Sequence, residues 1–268
     1  MAETSKKNKK IRVTTFKEKA RRGEKIAVLT AYDATIARIL DRAGIDAVLV
    51  GDSLGMVIMG EDSTLPVTMD IMVHHTRAVA RGVDRALVIA DMPFLSYSVN
   101  VEQALLNAGR LMQEGGAEAV KLEGGHSPDV IRRLVDAGIP VMGHIGLLPQ
   151  SVHQLGGYGM QGRSQPEAER LVSEALSIEQ AGAFAVVLES IPSALATRIT
   201  TQLQIPTIGI GAGAGCAGQV LVSYDAFGLF DGFVPSFVKQ YANLGQTMSE
   251  ATRSYIDDVR AGRFPSSS

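Results

Sequence analysis

The sequence has little cysteine and few aromatic residues. Cys216 is the single cysteine in 268 residues, tryptophan is absent, and aromatic residues make up only 5% of the chain. One thiol can form no intrachain disulfide and cannot supply a CxxC metal or redox motif. The composition therefore excludes a disulfide-stabilised secreted scaffold and indicates a reducing, cytoplasmic environment. Because no histidine adjoins Cys216, we interpret it as a structural thiol rather than a nucleophile.

The sequence also lacks an excess of one charge and lacks long apolar runs. Its 26 Lys and Arg residues against 28 Asp and Glu give a net charge of -2, too weak a field to attract a nucleic-acid backbone. No apolar run approaches the ~20 residues that span a bilayer, and the lysine-rich N-terminus has no apolar signal-peptide segment. We expect no nucleic-acid or membrane partner, a flexible basic tail over residues 1–10, and a single domain with a C-terminal helix over residues 11–268.

Short apolar runs alternate with longer amphipathic segments along the chain. Eight runs, bounded by Gly, Pro or Asp, predict strands at residues 25–30, 45–50, 86–90, 119–122, 139–143, 183–188, 206–210 and 219–222. Apolar residues at helical spacing and helix-forming composition predict helices over residues 68–80, 101–113, 128–136, 166–180 and 236–260. Eight strand–helix units with no linker between halves favour an α/β fold, a closed (β/α)8 TIM barrel, over two doubly wound domains.

Polar side chains fall at the carboxyl ends of these predicted strands, where such barrels build their active sites. The ionisable residues there are Asp33, Asp52, Asp91, Lys121, Glu123, His144, Glu189 and Asp225. Three carboxylates in one mouth, those of Asp52, Asp91 and Glu123, repel one another unless a cation compensates them. Mg²⁺ fits best, because it takes one or two carboxylates together with waters and substrate oxygens. Zinc requires more His or Cys than these strand ends supply.

Several of these residues have a second interpretation. An acidic residue after a strand also serves as the N-cap of the next helix, and we favour this for Asp33 and Asp225. Lys121 and Glu123 lie on the same side of one strand, where Lys121 pairs with Glu123, holds a substrate oxyanion or forms a Schiff base. The glycine-rich run at residues 209–213 either binds phosphate or permits tight packing.

A series of motifs resembles the ketopantoate hydroxymethyltransferase family. In chain order they are Val50–Met56, Asp62–Thr68, His75–Val79, Ala90–Phe94, Val120–Gly125, Gly143–Gln150, Gly156–Tyr158, Gln161–Arg163, Leu188–Glu189 and Pro206–Gly213. The resemblance runs from about Thr14 to about Lys239. It implies a cytoplasmic (β/α)8 barrel of the phosphoenolpyruvate mutase and isocitrate lyase type. It also implies a homo-oligomer, typically a decamer, that acts on small molecules.

The same resemblance implies a reaction and a set of roles. The family uses Mg²⁺ to add a hydroxymethyl group from 5,10-methylenetetrahydrofolate to 3-methyl-2-oxobutanoate, giving 2-dehydropantoate for pantothenate and coenzyme A synthesis. By position, Asp52 and Asp91 resemble metal ligands that also contact the substrate, and Glu123 resembles a third acidic group that reaches the metal through water. The residues that resemble those holding the oxo acid are Ser53, Lys121 and His144, and Glu189 resembles the catalytic base.

Two other functions are compatible with the residues at the strand ends. One is a Mg²⁺-dependent lyase or mutase acting on another 2-oxo acid, because the fold alone does not choose among such reactions. The other is a barrel that binds a metabolite without turning it over. The chain departs from the family pattern at Ala217, Tyr224 and Ile71, none of which coincides with the expected metal ligands or base.

Overall fold

The structure is a computed structural model that describes residues 9–125, 128–230, 232 and 234–266. Contacts divide the chain into two compact units, residues 1–220 and 221–268. Most of the basic tail expected over residues 1–10 lies outside the described residues. Within it, Lys10 pairs with Glu118 at 2.7 Å and donates a hydrogen bond to the backbone oxygen of Ala86. The boundaries of the tail and of the domain stay a prediction.

Eight strands form a closed barrel in chain order. They are β1 (Ile26–Thr30), β2 (Ala47–Val50), β3 (Leu87–Asp91), β4 (Ala119–Lys121), β5 (Val141–Gly146), β6 (Ala185–Glu189), β7 (Thr207–Ile210) and β8 (Gly218–Leu221). Consecutive strands pair in parallel from β1 through β8. The predicted (β/α)8 barrel is confirmed, and the ends of the predicted strands differ from the observed ones by up to three residues.

Helices lie before, between and after the strands. They are α1 (Val13–Arg21), α2 (Ala34–Ala43), α3 (Leu54–Val57), α4 (Met69–Ala80), α5 (Val101–Gln113), α6 (Pro128–Asp136), α7 (Val152–Leu155), α8 (Gln165–Gln180), α9 (Ser193–Gln202), α10 (Ser223–Ala226) and α11 (Leu244–Arg260). A 3₁₀ turn over Pro149–Ser151 precedes α7. Four predicted helices are confirmed to within one residue. The fifth is wrong in its start: α11 begins at Leu244, where the Asn243 side chain accepts a hydrogen bond from the Gln246 backbone N–H.

The two acidic residues predicted to cap helices have different outcomes. Asp33 is confirmed as the N-cap of α2, since its carboxylate accepts hydrogen bonds from the N–H groups of Thr35 and Ile36. The prediction for Asp225 is wrong, because this residue lies inside α10 and Val222 stands at the cap position. Among the described residues, no helix is both long enough and apolar enough to cross a bilayer.

The barrel interior is an apolar cluster to which every strand contributes. Its members on the strands are Ile26, Val28, Ala47, Leu49, Leu87, Ile89, Ala119, Met142, Ala185, Val187, Ile208 and Val220. Side chains of a strand alternate between its two faces, so the next residue on the inner face lies two positions further along the chain. On β3 through β6 these next positions are Asp91, Lys121, His144 and Glu189. The packed core therefore ends in a layer of ionisable side chains at the carboxyl ends of the strands.

Candidate active site

The second strand contributes a glycine, not a charged residue, to the inner layer, and this leaves room for its neighbours. A Cβ added at Gly51 would lie 2.7 Å from Ser53 Oγ and 3.6 Å from Asp91 Oδ2. The Asp52 backbone N–H donates to Asp91 Oδ2 at 3.1 Å, which brings the ends of β2 and β3 together. Ser53 Oγ lies 2.9 Å from the hydroxyl oxygen of Tyr32. Gly51 thus leaves room for the side chains of Ser53 and Asp91 near the end of β2.

Lys121 pairs with Asp91 across the two neighbouring strands β3 and β4. The Cα atoms of these residues are partners in the register, and Lys121 Nζ lies 2.8 Å from Asp91 Oδ1 but 4.0 Å from Glu123 Oε1. Burial acts to lower the pKa of Lys121, but the nearby carboxylates of Asp91, Glu123 and Asp52 outweigh it and raise the pKa. Lys121 is therefore a buried cation whose main partner is Asp91.

His144 lies between two carboxylates from different parts of the barrel mouth, one at the end of β6 and one in the segment after β4. Its Nδ1 is 3.4 Å from Glu123 Oε1 and its Nε2 is 3.2 Å from Glu189 Oε2. Burial and Lys121 act to lower the pKa of His144, but Glu123 and Glu189 outweigh both and raise it to about 9. His144 is therefore cationic at neutral pH, and its two ring N–H groups face acidic side chains from β6 and from the segment after β4.

Glu189 differs from its charged neighbours in its exposure. Its side chain is 17% exposed, whereas those of Asp91, Lys121, Glu123 and His144 are 6% exposed or less. It is the last residue of β6. Ser190, which follows it, has a φ of 47°, in the left-handed region that residues other than glycine rarely adopt. Of these five charged groups, Glu189 is the one most accessible to a small molecule entering the mouth.

Glu123 is held by several donors. Its Oε2 accepts a hydrogen bond from the Gln150 backbone N–H at 3.1 Å, and its Oε1 faces His144. Burial acts to raise the pKa of Glu123, but His144, Lys121 and the Gln150 N–H outweigh it and lower the pKa. Glu123 is therefore an ionised carboxylate whose two oxygens already have partners.

Asp52 is the carboxylate whose charge is least compensated. Its pKa is raised well above the ordinary value, first by burial and then by the neighbouring charges of Asp91 and Glu123, which outweigh Lys121 and a hydrogen bond from Gln150. Among the described residues, no group of three or more His, Cys, Asp or Glu side chains is arranged to bind a metal ion. The fit to Mg²⁺ therefore depends on two carboxylates, Asp52 and Asp91, a number that Mg²⁺ accepts when water or substrate oxygens complete its octahedron.

Two site residues were not predicted from the sequence. Gln150 Nε2 donates to Asp52 Oδ2 at 2.8 Å, and the Tyr97 hydroxyl donates to Gln150 Oε1 at 2.7 Å. Gln150 ends one of the quoted motifs, which is the only sign of it in the sequence. Tyr97 lies in the irregular segment between β3 and α5, where no periodicity indicates the direction of a side chain.

The glycine-rich run after β7 packs closely against neighbouring side chains. A Cβ at Gly209 would lie 2.9 Å from Cys216 Sγ, and one at Gly213 would lie 2.2 Å from Ser193 Oγ. Cys216 is fully buried, and burial raises the pKa of its thiol. These contacts favour the packing interpretation of the run. The interpretation of Cys216 as a structural thiol accords with its burial.

Comparison with known proteins identifies relatives along nearly the whole chain. The family model described as ketopantoate hydroxymethyltransferase matches residues 10–267. The chain is 56% identical over 254 residues to the 3-methyl-2-oxobutanoate hydroxymethyltransferase of Clostridium beijerinckii, covering 94% of this chain and 92% of that one. It is 54% identical over 263 residues to the enzyme of the same name from Syntrophus aciditrophicus, covering 98% and 97%.

The fold also has solved counterparts at low sequence identity. A crystal structure of 2,3-dimethylmalate lyase, described as a member of the PEP mutase/isocitrate lyase superfamily, matches with a TM-score of 0.60 at 17% identity. The match covers 95% of this chain and 89% of that one. The expected type of barrel is confirmed.

Proposed function

The chain belongs to the ketopantoate hydroxymethyltransferase family and carries out that family's hydroxymethyl transfer to 3-methyl-2-oxobutanoate; we propose that the ionisable layer at the barrel mouth is its active site. The observation that carries this assignment is the convergence of residues from β2 through β6 in one layer, with two buried cations among four carboxylates. The match over nearly the whole chain favours this transfer over a lyase or mutase reaction and over binding without turnover.

The metal lies, in this proposal, at the ends of β2 and β3. Asp52 and Asp91 would hold Mg²⁺ directly, and Glu123 would reach it through water, which are the roles that the family resemblance implies for these three residues. When bound, Mg²⁺ supplies positive charge that polarises the 2-oxo group and makes the adjacent C3 hydrogen more acidic. The uncompensated charge of Asp52 supports this placement.

In this proposal the oxo acid lies across the barrel mouth, between the metal at Asp52 and the base Glu189. Ser53, Lys121 and His144 bind its carboxylate and oxo oxygens, since they supply one hydroxyl and two cations on β4, β5 and the segment after β2. In a closed barrel of eight strands in chain order, β2 and β6 stand on opposite walls. A substrate held at Asp52 therefore extends towards Glu189.

Glu189 acts as the general base. It takes the proton from C3 of the oxo acid, and the carbanion that results forms a carbon–carbon bond to the one-carbon unit of 5,10-methylenetetrahydrofolate. Water takes the place of the folate nitrogens on that carbon: the carbon–nitrogen bonds break, water supplies the hydroxyl oxygen, and protons from water and from solution go to the nitrogens of the departing tetrahydrofolate. The greater exposure of Glu189 supports this role, and the contact of His144 Nε2 with Glu189 Oε2 at 3.2 Å holds the carboxylate in place.

We further propose that the protein works in the cytoplasm as a homo-oligomer, specifically a decamer. The family resemblance supports both the location and the assembly. The reactants are small, charged and water-soluble, which supports the location. Sedimentation equilibrium of the purified chain tests the assembly: a mass of ten chains agrees with the proposal, and a monomer contradicts it.

The reaction itself is tested by product analysis. Incubation of the protein with 3-methyl-2-oxobutanoate, 5,10-methylenetetrahydrofolate and Mg²⁺ is expected to yield 2-dehydropantoate, detected by mass spectrometry. Removal of the metal with a chelator is expected to stop the reaction, and added Mg²⁺ to restore it. Undiminished product without a divalent ion contradicts the metal proposal, and no product with Mg²⁺ contradicts the substrate assignment.

A further inference from the structure

Gln150 is a buried residue of the 3₁₀ turn after β5, and its polar groups connect separate parts of the site. Its Nε2 donates to Asp52 Oδ2 at 2.8 Å and to the Met92 backbone oxygen at 3.0 Å. Its Oε1 accepts from the Tyr97 hydroxyl at 2.7 Å. Its backbone N–H donates to Glu123 Oε2 at 3.1 Å. One residue thus contacts two of the four carboxylates that converge at the site.

The partners of Gln150 fix which way its amide points. The Met92 backbone oxygen only accepts hydrogen bonds, so the amide NH₂ must face Met92 and, beside it, Asp52. The amide oxygen then faces Tyr97, whose hydroxyl donates to it at 2.7 Å and accepts a hydrogen bond from the Glu123 backbone N–H at 3.2 Å. A rotation of the amide by half a turn would set its oxygen against the Met92 oxygen, which has no proton to donate. Met92 therefore fixes the orientation in which Nε2 donates to Asp52.

We propose that Gln150 is a positioning residue that orients the Asp52 carboxylate for a divalent cation, and that Tyr97 acts through Gln150. This inference rests on the metal-binding role proposed above for Asp52. A hydrogen bond to Oδ2 restricts rotation of the carboxylate and leaves Oδ1 as the oxygen available to the ion. Partners that orient metal-binding groups in this way typically contribute a factor of about 10 to 100 in metal affinity.

The contacts of Gln150 are on the metal side of the mouth. None of the hydrogen bonds of its side chain involves His144 or Glu189. Loss of the amide is therefore expected to weaken metal binding while leaving the base in place. At saturating metal, C3 hydrogen exchange in a Gln150 variant is expected to return to within about threefold of the wild-type rate, which a general loss of structure would not allow.

The test is a titration with Mn²⁺, followed by the electron paramagnetic resonance signal of the free ion. Gln150→Met keeps the side-chain length but has no amide, and it is expected to bind Mn²⁺ about 10 to 100 times more weakly than wild type. Tyr97→Phe removes one hydroxyl and is expected to weaken binding about 3 to 10 times. The double variant is expected to bind within about twofold of Gln150→Met, because Tyr97 acts through the amide.

Asp41→Asn is the matched control. Asp41 is a buried residue of α2. Its carboxylate accepts hydrogen bonds from the N–H groups of Asp84, Arg85 and Ala86, which directly precede β3. This variant is expected to lower the melting temperature and to leave the Mn²⁺ affinity within about twofold of wild type. It separates a loss of stability from a loss of orientation at Asp52.

The outcomes distinguish this inference from the proposal it rests on. Wild-type protein that binds Mn²⁺, with Gln150→Met binding it equally well, overturns the role of Gln150 and leaves that of Asp52 intact. Wild-type protein that binds no Mn²⁺ overturns the metal proposal and the role of Gln150 with it. If Gln150→Met does not fold, Tyr97→Phe decides: a wild-type affinity in that variant overturns the inference.

Discussion

At the residue scale, charge balance is the reason for proposing a divalent cation in the barrel mouth. Four carboxylates face two cations in a layer that is largely buried, and like charges in such surroundings raise one another's pKa unless they are compensated. The raised pKa of Asp52 shows where compensation is weakest. The divalent ion proposed at Asp52 and Asp91 would balance the charge of the layer. The layer consists of Asp52, Asp91, Lys121, Glu123, His144 and Glu189.

The absent side chain of Gly51 gives a prediction about substrate binding. In Gly51→Ala the new Cβ lies 2.7 Å from Ser53 Oγ, so Ser53 must move away from the oxo acid. We expect the KM for 3-methyl-2-oxobutanoate to rise about tenfold, as for the loss of one hydrogen bond of about 1.4 kcal/mol. Steady-state kinetics at saturating Mg²⁺ measure this.

Gly109→Ala is the control for that substitution. Gly109 lies inside α5, and a Cβ there would meet nothing within 4 Å. This variant is expected to keep the wild-type KM and to gain roughly 0.5 to 1 kcal/mol in its free energy of unfolding. An unchanged KM in Gly51→Ala would show that Ser53 does not contact the substrate.

At this scale, the sequence predicts a site residue only where an ionisable side chain stands at the end of an apolar strand. Asp91, Lys121 and Glu189 were predicted because each ends an apolar strand in which the side chains alternate. Gln150 and Tyr97 escaped prediction because amide and phenol groups are common on surfaces and in cores. Their role depends on contacts across the barrel mouth, which no local pattern reports.

At the element scale, short apolar runs separated by amphipathic segments account for most of the architecture. Buried parallel strands read as short apolar runs, so all eight were found, and left-handed glycines such as Gly44, with φ 93°, mark the helix ends before strands. The end of β5 was missed: it continues through His144 to Gly146, whose Cα partner in the register is Glu189. The start of α11 was placed too early, because composition alone did not reveal the cap at Asn243.

The cap of α2 gives a prediction at the element scale. Asp33 accepts two backbone hydrogen bonds, at 2.7 Å and 2.9 Å, so Asp33→Ala is expected to lower the free energy of unfolding by about 1 to 2 kcal/mol. Asp33→Asn keeps an acceptor and is expected to lower it by less than about 0.5 kcal/mol. Urea unfolding measures both. A large loss of Mg²⁺ affinity in either variant would contradict the structural role of Asp33.

The short helix α10 gives a prediction about pH. Burial raises the pKa of Asp225 to about 6, above its value in the unfolded chain, so the folded state favours the protonated form. The stability that this contributes is complete below about pH 4 and is lost as the pH rises through about 6. Asp225→Asn is neutral throughout. We therefore expect wild type to lose stability relative to Asp225→Asn between pH 4 and pH 7 in urea unfolding, and a constant difference would contradict the shift.

At the scale of the whole molecule, the closed barrel places the proposed metal ligands and the proposed base on opposite walls. With the strands in chain order, β2 and β6 are separated by three strands on either side of the ring. Lys121 and His144, on β4 and β5, lie on one of the arcs between them. In the proposed function, this arrangement would hold one end of a small oxo acid at the metal and direct its C3 hydrogen to Glu189.

Metal binding gives a prediction for the stability of the whole molecule. A ligand that binds only the folded state stabilises it by about 2.7 kcal/mol at 100 times its Kd, which corresponds to a rise in Tm of roughly 5 °C for a chain of this size. We expect Mg²⁺ to produce this rise in wild type. Asp52→Asn combined with Asp91→Asn is expected to abolish it, and an equal rise in that double variant in calorimetry would place the ion elsewhere.

We propose that this barrel removes the C3 proton of the oxo acid, with Glu189 as the base and a divalent ion beside Asp52. The decisive experiment is proton NMR of 3-methyl-2-oxobutanoate in D₂O, with protein, Mg²⁺ and unreactive tetrahydrofolate. We expect metal-dependent loss of the C3 hydrogen signal in wild type, and almost no loss in Glu189→Gln, which still binds metal and oxo acid. Exchange at the wild-type rate in Glu189→Gln, or no exchange from folded, metal-loaded wild type, would contradict it.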